Sequence, residues 1–449
     1  MSTEPLVGEK TVLLQTGENR GVRDYAVFAA LFGLNHGTIT ATLMLSSSFL
    51  GQTAAGLGNG TLYAMFGSVA LLAAAPVVRA AGARRVLLFS MALYCAYPGA
   101  LFASSFPGSD TAWAIVGGLL GGMASGCLWT AQGTYFTASA AQHARATGLP
   151  PASATASLAT CFASIFLGLE IVCKLGTSML LRAEASAGES VSVAHMTLLA
   201  SFTGLAILSA ALAPFLVAHV PEVASSDGPR AGSVGTQLTE TMGAAVRLTL
   251  DDPTILLLTP FNLAFGLGTA LLQGVVNGNL AAPVVGEASV GLLGGLSVGV
   301  AAMSTYPLSQ LSGRKGSCLA FAAGAQLVQM GVVALLASKQ PQLVAEKSMV
   351  WGMLVVIYVL QGVSRAAFES VCKSLTADLF PKRAPAAFAN IIFPNAYGTA
   401  LGFVCFPAMP VGVAVGTVAL VAASAIPASL YASKVAAERV ESGKGRRVS

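Results

Sequence analysis

Long apolar runs separated by short polar breaks recur along the whole chain. A run of about 18 or more apolar residues can cross the roughly 30 Å hydrocarbon core of a bilayer, because each helical residue adds about 1.5 Å. The breaks define twelve such runs, at residues 25–47, 59–78, 85–106, 112–139, 157–181, 197–219, 254–275, 288–311, 317–337, 349–379, 387–408 and 410–433. The pattern therefore predicts an all-α membrane protein with about 12 transmembrane helices.

Polar segments divide the twelve predicted spans into two groups of six. The most polar internal stretch, residues 220–253, separates the groups and is predicted to be a cytosolic linker. The predicted organisation is a cytosolic tail at 1–24, a six-helix bundle at 25–219, the linker, a second six-helix bundle at 254–433 and a basic cytosolic tail at 434–449.

Composition agrees with lipid as the solvent of this chain. Apolar residues make up 55% of the 449 positions and charged residues only 10%, which lies outside the range of soluble globular proteins. The seven cysteines lie mostly inside apolar runs and none form a C-x-x-C pair, so they are interpreted as small buried hydrophobic residues.

The distribution of basic residues predicts the orientation of the chain. When the N-terminus is placed in the cytosol, two of the 24 Lys and Arg residues lie within spans and three lie in loops on the non-cytosolic side of the membrane. The other 19 lie on the cytosolic side. This asymmetry fits the positive-inside rule. The excess of basic residues behind the net charge of +5 is therefore explained by the orientation of the chain in the membrane, and no nucleic-acid partner is expected.

Two short features repeat between the halves. Phe32-Gly33-Leu34 in the first span matches Phe265-Gly266-Leu267 in the seventh. A tight basic turn follows the second span of each half, and it contains Gly82, Arg84 and Arg85 in the first copy and Gly313, Arg314 and Lys315 in the second. Two six-span halves with such turns are typical of major facilitator proteins.

Within that superfamily the chain resembles the Unc-ninety-three-like (uncoordinated) family. The most specific segment is the decapeptide 128–137, LWTAQGTYFT, which is similar to the fourth-span signature of the family. Two further segments resemble the family, one from Gly58 through Leu62-Tyr63-Ala64 to Tyr94 and one from Leu360-Gln361-Gly362 to Ala389. The family usually has an acidic residue shortly after the span-ten glycine, where this chain has Arg365.

The resemblance implies a multi-pass membrane protein but does not fix a substrate. Members of the family include suspected transporters, regulators of potassium channels and trafficking partners of membrane receptors. The expected partners are therefore the lipid bilayer and either a small-molecule or ion solute or another membrane protein.

Charged residues within spans are the first candidates for function, because each costs roughly 2.5 to 3.5 kcal/mol at the centre of a membrane helix. Glu170 and Lys174 lie one turn apart in span five and could neutralise each other or bind a solute. In span ten the spacing of four predicts a polar stripe on one helix face, made of Gln361, Arg365, Glu369 and Lys373. Glu369 is the nearest partner for Arg365 in sequence.

Further polar candidates lie in spans four and one. Trp129, Gln132 and Tyr135 fall on one surface of span four, where they could line a cavity or pack between helices. Asn35 lies where the central cavity of such folds is expected, and His36 follows it. A lone histidine does not predict a metal site, and neither a metal nor a cofactor is expected.

Two short signals concern location and modification. Asn59-Gly60-Thr61 is a glycosylation sequon at the start of span two, which makes Asn59 a glycosylation candidate. Glu9, Leu13 and Leu14 match an acidic dileucine sorting signal in the cytosolic tail. The expected location is the plasma membrane or an endosomal or lysosome-like membrane.

Two functions remain open at this point. The preferred hypothesis is a secondary carrier that moves a small solute by alternating access, with spans one, four, seven and ten lining a central cavity. A guanidinium group at Arg365 would favour an anionic or zwitterionic solute. The alternative is a non-transporting accessory subunit or trafficking partner of an ion channel or receptor. No motif indicates an enzyme.

We predict that both termini are cytosolic, because the basic residues concentrate on that side. A protease-cleavable tag at either end should be cut only after the membrane is permeabilised. Cleavage of either tag on intact cells would contradict the predicted orientation.

Overall fold

The computed structural model describes residues 7–106, 110–220, 234–311, 314–339, 347–380 and 383–445, which are almost entirely helical. Twelve helical segments are long and apolar enough to cross a membrane, which confirms the predicted number of spans. We number them spans 1 to 12: Gly21–Leu50, Gln52–Leu72, Ala83–Ala103, Asp110–Thr147, Ser153–Ser186, Val191–Leu216, Pro253–Val285, Glu287–Leu308, Lys315–Ser338, Lys347–Leu379, Ala386–Ala408 and Val411–Arg439.

Several spans are parts of longer helices or combine shorter ones. The α-helices are Val7–Leu50, Gln52–Leu72, Ala74–Ala81, Ala83–Tyr94, Ala96–Ala103, Asp110–Thr147, Pro151–Ser186, Val191–Leu216, Val234–Asp251, Thr259–Ala270, Ala282–Val285, Glu287–Gln310, Lys315–Ser338, Lys347–Ala366, Lys373–Leu379, Ala384–Cys405 and Val411–Gly445. Short 3₁₀ segments, Pro253–Leu258 and Phe406–Ala408, begin span 7 and end span 11.

Two spans contain a π-helical segment, in which the turn is wider than in an α-helix. These segments are Leu271–Ala281 in span 7 and Ala367–Cys372 in span 10. The second begins two residues after Arg365. Because a π-turn holds an extra residue, positions on either side of it lose the usual spacing of four on one face.

The contacts between spans repeat in the two halves. In the first half span 1 packs on spans 5 and 6, span 4 packs on spans 2 and 3, and span 3 packs on span 6. In the second half span 7 packs on spans 11 and 12, span 10 packs on spans 8 and 9, and span 9 packs on span 12. Between the halves, span 2 packs on span 11 and span 5 packs on span 8, and the symmetry that relates the halves converts one of these contacts into the other. This is the internal symmetry of a membrane protein built from two repeats of six spans.

An even number of spans places the start of span 1 and the end of span 12 at the same face, which we call the terminal face. Contacts between the halves concentrate toward the other face, which we call the opposite face. There Asn277 Nδ2 donates to Met44 O at 3.1 Å, and Gln52 Nε2 donates to Asn279 Oδ1 at 2.7 Å. His195 Nε2 of span 6 also lies 2.5 Å from Glu287 Oε2 of span 8. The halves are therefore joined at the opposite face.

Glycines allow close approach between the packed spans. A Cβ at Gly118 would lie 2.2 Å from Gly58 O, and one at Gly122 would lie 2.4 Å from Leu62 O, so any side chain there would separate spans 4 and 2. Between the halves, a Cβ at Gly291 of span 8 would lie 2.6 Å from Lys174 O of span 5. Small residues at such spacing permit the tight helix packing that replaces the hydrophobic effect in lipid.

The predicted linker contains an additional helix. Val234–Asp251 lies between the halves in sequence and packs against spans 2 and 11 and the helix Ala74–Ala81. Asn390 Nδ2 of span 11 donates to Ala245 O at 3.0 Å. Residues 221–233 lie outside the described part of the chain, and the domain bounds stay predictions.

We predict that a disulfide between positions 60 and 404 will lock spans 2 and 11 together. A Cβ at Gly60 lies 3.8 Å from Val404 Cβ, which is close to the mean of about 3.8 Å for disulfides. Oxidising Gly60→Cys/Val404→Cys in a background without the seven native cysteines should keep the halves together on a gel after cleavage at a site inserted into the linker.

The matched control is Gly60→Cys/Leu401→Cys, because Leu401 lies on the same span but is 57% exposed. This control should separate into two fragments after cleavage. Equal cross-linking of both pairs, or of neither, would contradict the contact between spans 2 and 11.

Candidate functional site

Span 5 carries an acidic and a basic side chain on one face. Residues four apart in a helix are neighbours, so Glu170 and Lys174 can meet. Lys174 Nζ donates a hydrogen bond to Glu170 Oε1 at 2.7 Å. The neutralising pair that the spacing suggests is therefore formed.

Arg365 of span 10 binds the same carboxylate from the other half of the protein. Its Nη1 donates to Glu170 Oε1 and its Nη2 donates to Glu170 Oε2, both at 2.8 Å. Two parallel hydrogen bonds of this kind use the planar geometry of guanidinium and carboxylate together. The pair joins residues 195 positions apart in sequence. We call Glu170, Lys174 and Arg365 the charged cluster.

The charged cluster is largely withdrawn from water. The side chains of Glu170 and Lys174 are 2% and 8% exposed, whereas that of Arg365 is 22% exposed. Removing an ion from water costs several kcal/mol, and here three charge-assisted hydrogen bonds to one carboxylate offset that cost. One carboxylate and two cations leave a formal charge of +1. Arg365 is the member most open to a ligand.

The expected partnership between Arg365 and Glu369 is wrong. Glu369 instead pairs with Lys373, and both of these side chains are nearly half exposed. Gln361 turns toward the interior of the second half, where its Nε2 donates to Thr269 Oγ1 at 3.1 Å. The predicted stripe is thus split into three environments, and the π-segment Ala367–Cys372 separates Arg365 from the pair of Glu369 and Lys373.

Aromatic rings surround His36 in the first half. The His36 ring lies 5.2 Å from that of Trp129 and 5.3 Å from that of Phe166, between ring centroids. Phe166 lies one helical turn before Glu170 on span 5, toward the terminal face. We call His36, Trp129 and Phe166 the aromatic wall. It therefore adjoins the charged cluster.

Two of the other predicted candidates serve helix packing. Tyr135 is buried and its hydroxyl donates to Ala218 O at 2.9 Å, which ties span 4 to the end of span 6. Asn35 is fully buried, and its Nδ2 donates to Met91 O and Ala206 O at 3.3 and 3.2 Å. Gln132 is half-buried. Tyr135 and Asn35 are therefore not brought to the charged cluster.

The basic turns lie at the terminal face. Gly82 has φ 85° and separates two helices, so a residue with a side chain would be strained there. Arg84 donates to Pro214 O at 2.8 Å and Val217 O at 3.1 Å, at the end of span 6. In the second copy Lys315 pairs with Asp378 at the end of span 10. Arg85 and Arg314 are exposed, and Gly313 lies outside the described residues.

Asn59 is not available for glycosylation, which corrects the prediction from its sequon. It lies within span 2 and is 2% exposed. Its Nδ2 donates to Ser46 Oγ at 2.8 Å, and its Oδ1 accepts from Tyr97 at 2.6 Å. Both polar atoms therefore hold spans 1, 2 and 3 together.

The sorting candidates Glu9, Leu13 and Leu14 fall in the helix Val7–Leu50, but their side chains lie outside the described part of the chain.

Within the described residues no cluster of His, Cys, Asp and Glu could hold a metal. A cavity of about 310 Å³ opens at the opposite face beside His195 and Asp110, away from the charged cluster.

Sequence reasoning missed the convergence of the charged cluster and the aromatic wall. Phe166 is one apolar residue among many in span 5, and no sequence signal separates it from its neighbours.

The structure also reveals a group of buried glutamines in the second half. Gln329 Nε2 donates to Gln361 Oε1 at 3.1 Å, and Gln326 is 1% exposed.

Comparison with protein families gives one match. The profile described as "Ion channel regulatory protein UNC-93" matches residues 51–429, which is most of the chain. No individually curated protein matches the chain.

Solved structures share the fold at low sequence identity. A point mutant of the nucleoside transporter NupG matches with a TM-score of 0.65 and 13% identity, over 92% of this chain and 99% of that chain. A bacterial homologue of the human drug peptide transporters PepT1 and PepT2 matches with a TM-score of 0.62 and 11% identity, over 94% and 99%. The xylose transporter XylE from E. coli, in a partially occluded inward open conformation, matches with a TM-score of 0.60 and 14% identity, over 93% and 97%. These likenesses confirm the predicted fold.

We predict that Glu170→Gln will destabilise the protein far more than Arg365→Gln or Lys174→Gln. Loss of the carboxylate leaves two cations without an anion, whereas loss of either cation leaves one neutral pair. Breaking a buried ion pair typically costs about 3 to 5 kcal/mol. Thermal unfolding of the purified variants in detergent measures the difference.

Glu369→Gln is the matched control, because its ion pair with Lys373 is nearly half exposed. Such pairs contribute about 0 to 1 kcal/mol, so this variant should unfold close to wild type. If Glu369→Gln and Glu170→Gln lowered stability equally, the charged cluster would not be the central contact.

Proposed function

This chain belongs to the UNC-93 family, and we propose that it is a secondary carrier that moves a small solute across a membrane by alternating access. The proposal includes no catalytic step and no cofactor. Its fold is that of known transporters, with two halves related by internal symmetry. The supporting observation is the charged cluster, which joins the two halves in the interior of the spans.

The charged cluster has the properties of a site that changes during transport. Glu170 belongs to the first half and Arg365 to the second, so any rocking of the halves must alter their contact. A solute that binds the remaining N–H groups of Arg365 can take the place of Glu170 when the halves move apart. Binding energy is thereby coupled to the relative position of the halves.

We assign the structure to a state that is open toward the terminal face. The halves meet at the opposite face through Met44, Asn277, His195 and Glu287. Glu369 is 47% exposed although it lies within a span, and a charged group is expected to face water rather than lipid. This supports an aqueous path between the terminal face and Arg365.

The terminal face is assigned to the cytosol on the basis of its basic residues. The described state is then inward-facing. The plasma membrane and an endosomal or lysosome-like membrane are both consistent with the sequence, and the dileucine at Leu13 and Leu14 favours the second. Localisation of a fluorescent fusion distinguishes the two.

The alternative function is regulation of another membrane protein, which the description of the family profile favours. In that case the charged cluster would only stabilise one arrangement of the halves. A protein locked by the 60–404 disulfide would then keep its regulatory effect, whereas a carrier would lose transport, because only the carrier must change conformation.

We predict that Arg365→Lys will fold normally but transport poorly. Lysine keeps the positive charge and can still pair with Glu170, but it cannot supply two parallel hydrogen bonds to a carboxylate. Uptake by proteoliposomes, screened with pooled radiolabelled solutes, should fall by about tenfold or more relative to wild type.

Lys373→Arg is the control, because it makes the related change on the same span at a residue that is not paired with Glu170. Uptake by this variant should equal that of wild type. Wild-type uptake by a well-folded Arg365→Lys variant would remove Arg365 from the binding site.

A further inference from the structure

The charged cluster and the aromatic wall together select a class of solute. We propose that the site binds small organic anions in which a carboxylate is attached to a planar aromatic ring. This inference rests on the proposed carrier function and names the chemistry of its solute. Three observations support the inference: the formal charge of the charged cluster, the rings of the aromatic wall and the unpaired Nδ1 atom of His36.

The formal charge of the site favours an anion. Arg365 has five N–H groups and donates two of them to Glu170, while Lys174 has three and donates one. In the described part of the chain no other acceptor engages these two residues. A monoanionic solute would neutralise the formal charge of +1 and use the unpaired donors.

Access to the two cations is unequal. The Arg365 side chain is 22% exposed and that of Lys174 is 8% exposed, with Lys174 packed against Gly294 of span 8. An anion that enters from the terminal face therefore meets Arg365 first. A planar carboxylate matches the guanidinium better than a single-atom anion does, because it accepts two parallel hydrogen bonds.

The aromatic wall supplies the second element of recognition. Trp129 is half-buried, and its ring packs edge-on against His36 and Phe166 with centroid distances of 5.2 and 5.6 Å. Phe166 places this wall one turn from Glu170, on the terminal-face side. A ring attached to the carboxylate would therefore reach Trp129 while the carboxylate binds Arg365.

His36 provides a polar contact within that wall. It is 8% exposed, and its Nδ1 has no hydrogen-bond partner among the described residues. A buried polar atom without a partner is costly, so its presence points to a group that is supplied from outside the chain. A neutral imidazole can donate or accept at Nδ1 according to its tautomer, which suits a heteroatom in the ring of the solute.

Isothermal titration of the purified protein with four probes tests the inference, in a low-salt buffer that contains no carboxylate and the same chloride concentration in every titration. Nicotinate has the charge, the aromatic ring and a ring nitrogen. Benzoate lacks the nitrogen, nicotinamide lacks the charge and cyclohexanecarboxylate lacks the aromatic ring. We expect nicotinate to bind tightest, benzoate next, cyclohexanecarboxylate weakly and nicotinamide weakest.

Variants assign each element of recognition to its residue. Trp129→Leu should weaken nicotinate binding by about 2- to 12-fold and leave cyclohexanecarboxylate unchanged. Trp113→Leu is the matched control, because Trp113 lies on the same span but is 42% exposed near the opposite face, and it should leave both affinities unchanged. His36→Phe should remove the difference between nicotinate and benzoate.

The outcomes separate this inference from the carrier function. Equal binding of all three carboxylates, or an unchanged nicotinate affinity in Trp129→Leu, would overturn the role of the aromatic wall. Binding of nicotinamide as tight as that of nicotinate, or of no probe at all, would overturn the requirement for an aromatic anion. Uptake of a different solute by the same proteoliposomes would leave the carrier function standing in either case.

Discussion

A charged side chain in a medium without water must be stabilised by other groups of the protein. In this protein that requirement determines the contacts of the charged cluster. Glu170 is almost completely buried, so it needs cations, and the two that serve it come from its own helix and from the other half. The bidentate contact fixes the distance between spans 5 and 10. Glycines at the contact of spans 5 and 8 then allow the helices to approach closely enough for that contact to form.

The two halves are joined by contacts of different kinds at different depths. At the opposite face, amide and backbone groups of spans 1 and 7 bind each other and His195 of span 6 contacts Glu287 of span 8. Close packing holds spans 2 and 11 together from this face as far as Ser68, whose hydroxyl contacts that of Tyr397. Deeper in the membrane the charged cluster joins spans 5 and 10. Neutral hydrogen bonds and glycine contacts can separate at modest cost, whereas the ion pair can open only if another anion or water replaces Glu170.

The sequence predicts the spans well because a bilayer demands long apolar helices, and this signal is local. Contacts between distant residues leave no such signal. The partner of Arg365 lies 195 positions away in the other half, whereas the nearer Glu369 pairs with Lys373. The sequon at Asn59 is misleading for a related reason, since a three-residue motif does not reveal that the side chain lies inside the bundle.

The uncompensated charge of the cluster has an electrical consequence. A fixed positive charge that is connected by water to one face of the membrane experiences the voltage across the membrane, at about 2.3 kcal/mol per elementary charge for 100 mV. In the carrier that we propose, a cytosol at negative potential draws the empty protein toward its inward-facing state. The complex with a monoanion is neutral and does not feel this force, so the return of the empty carrier is the electrogenic step of the cycle.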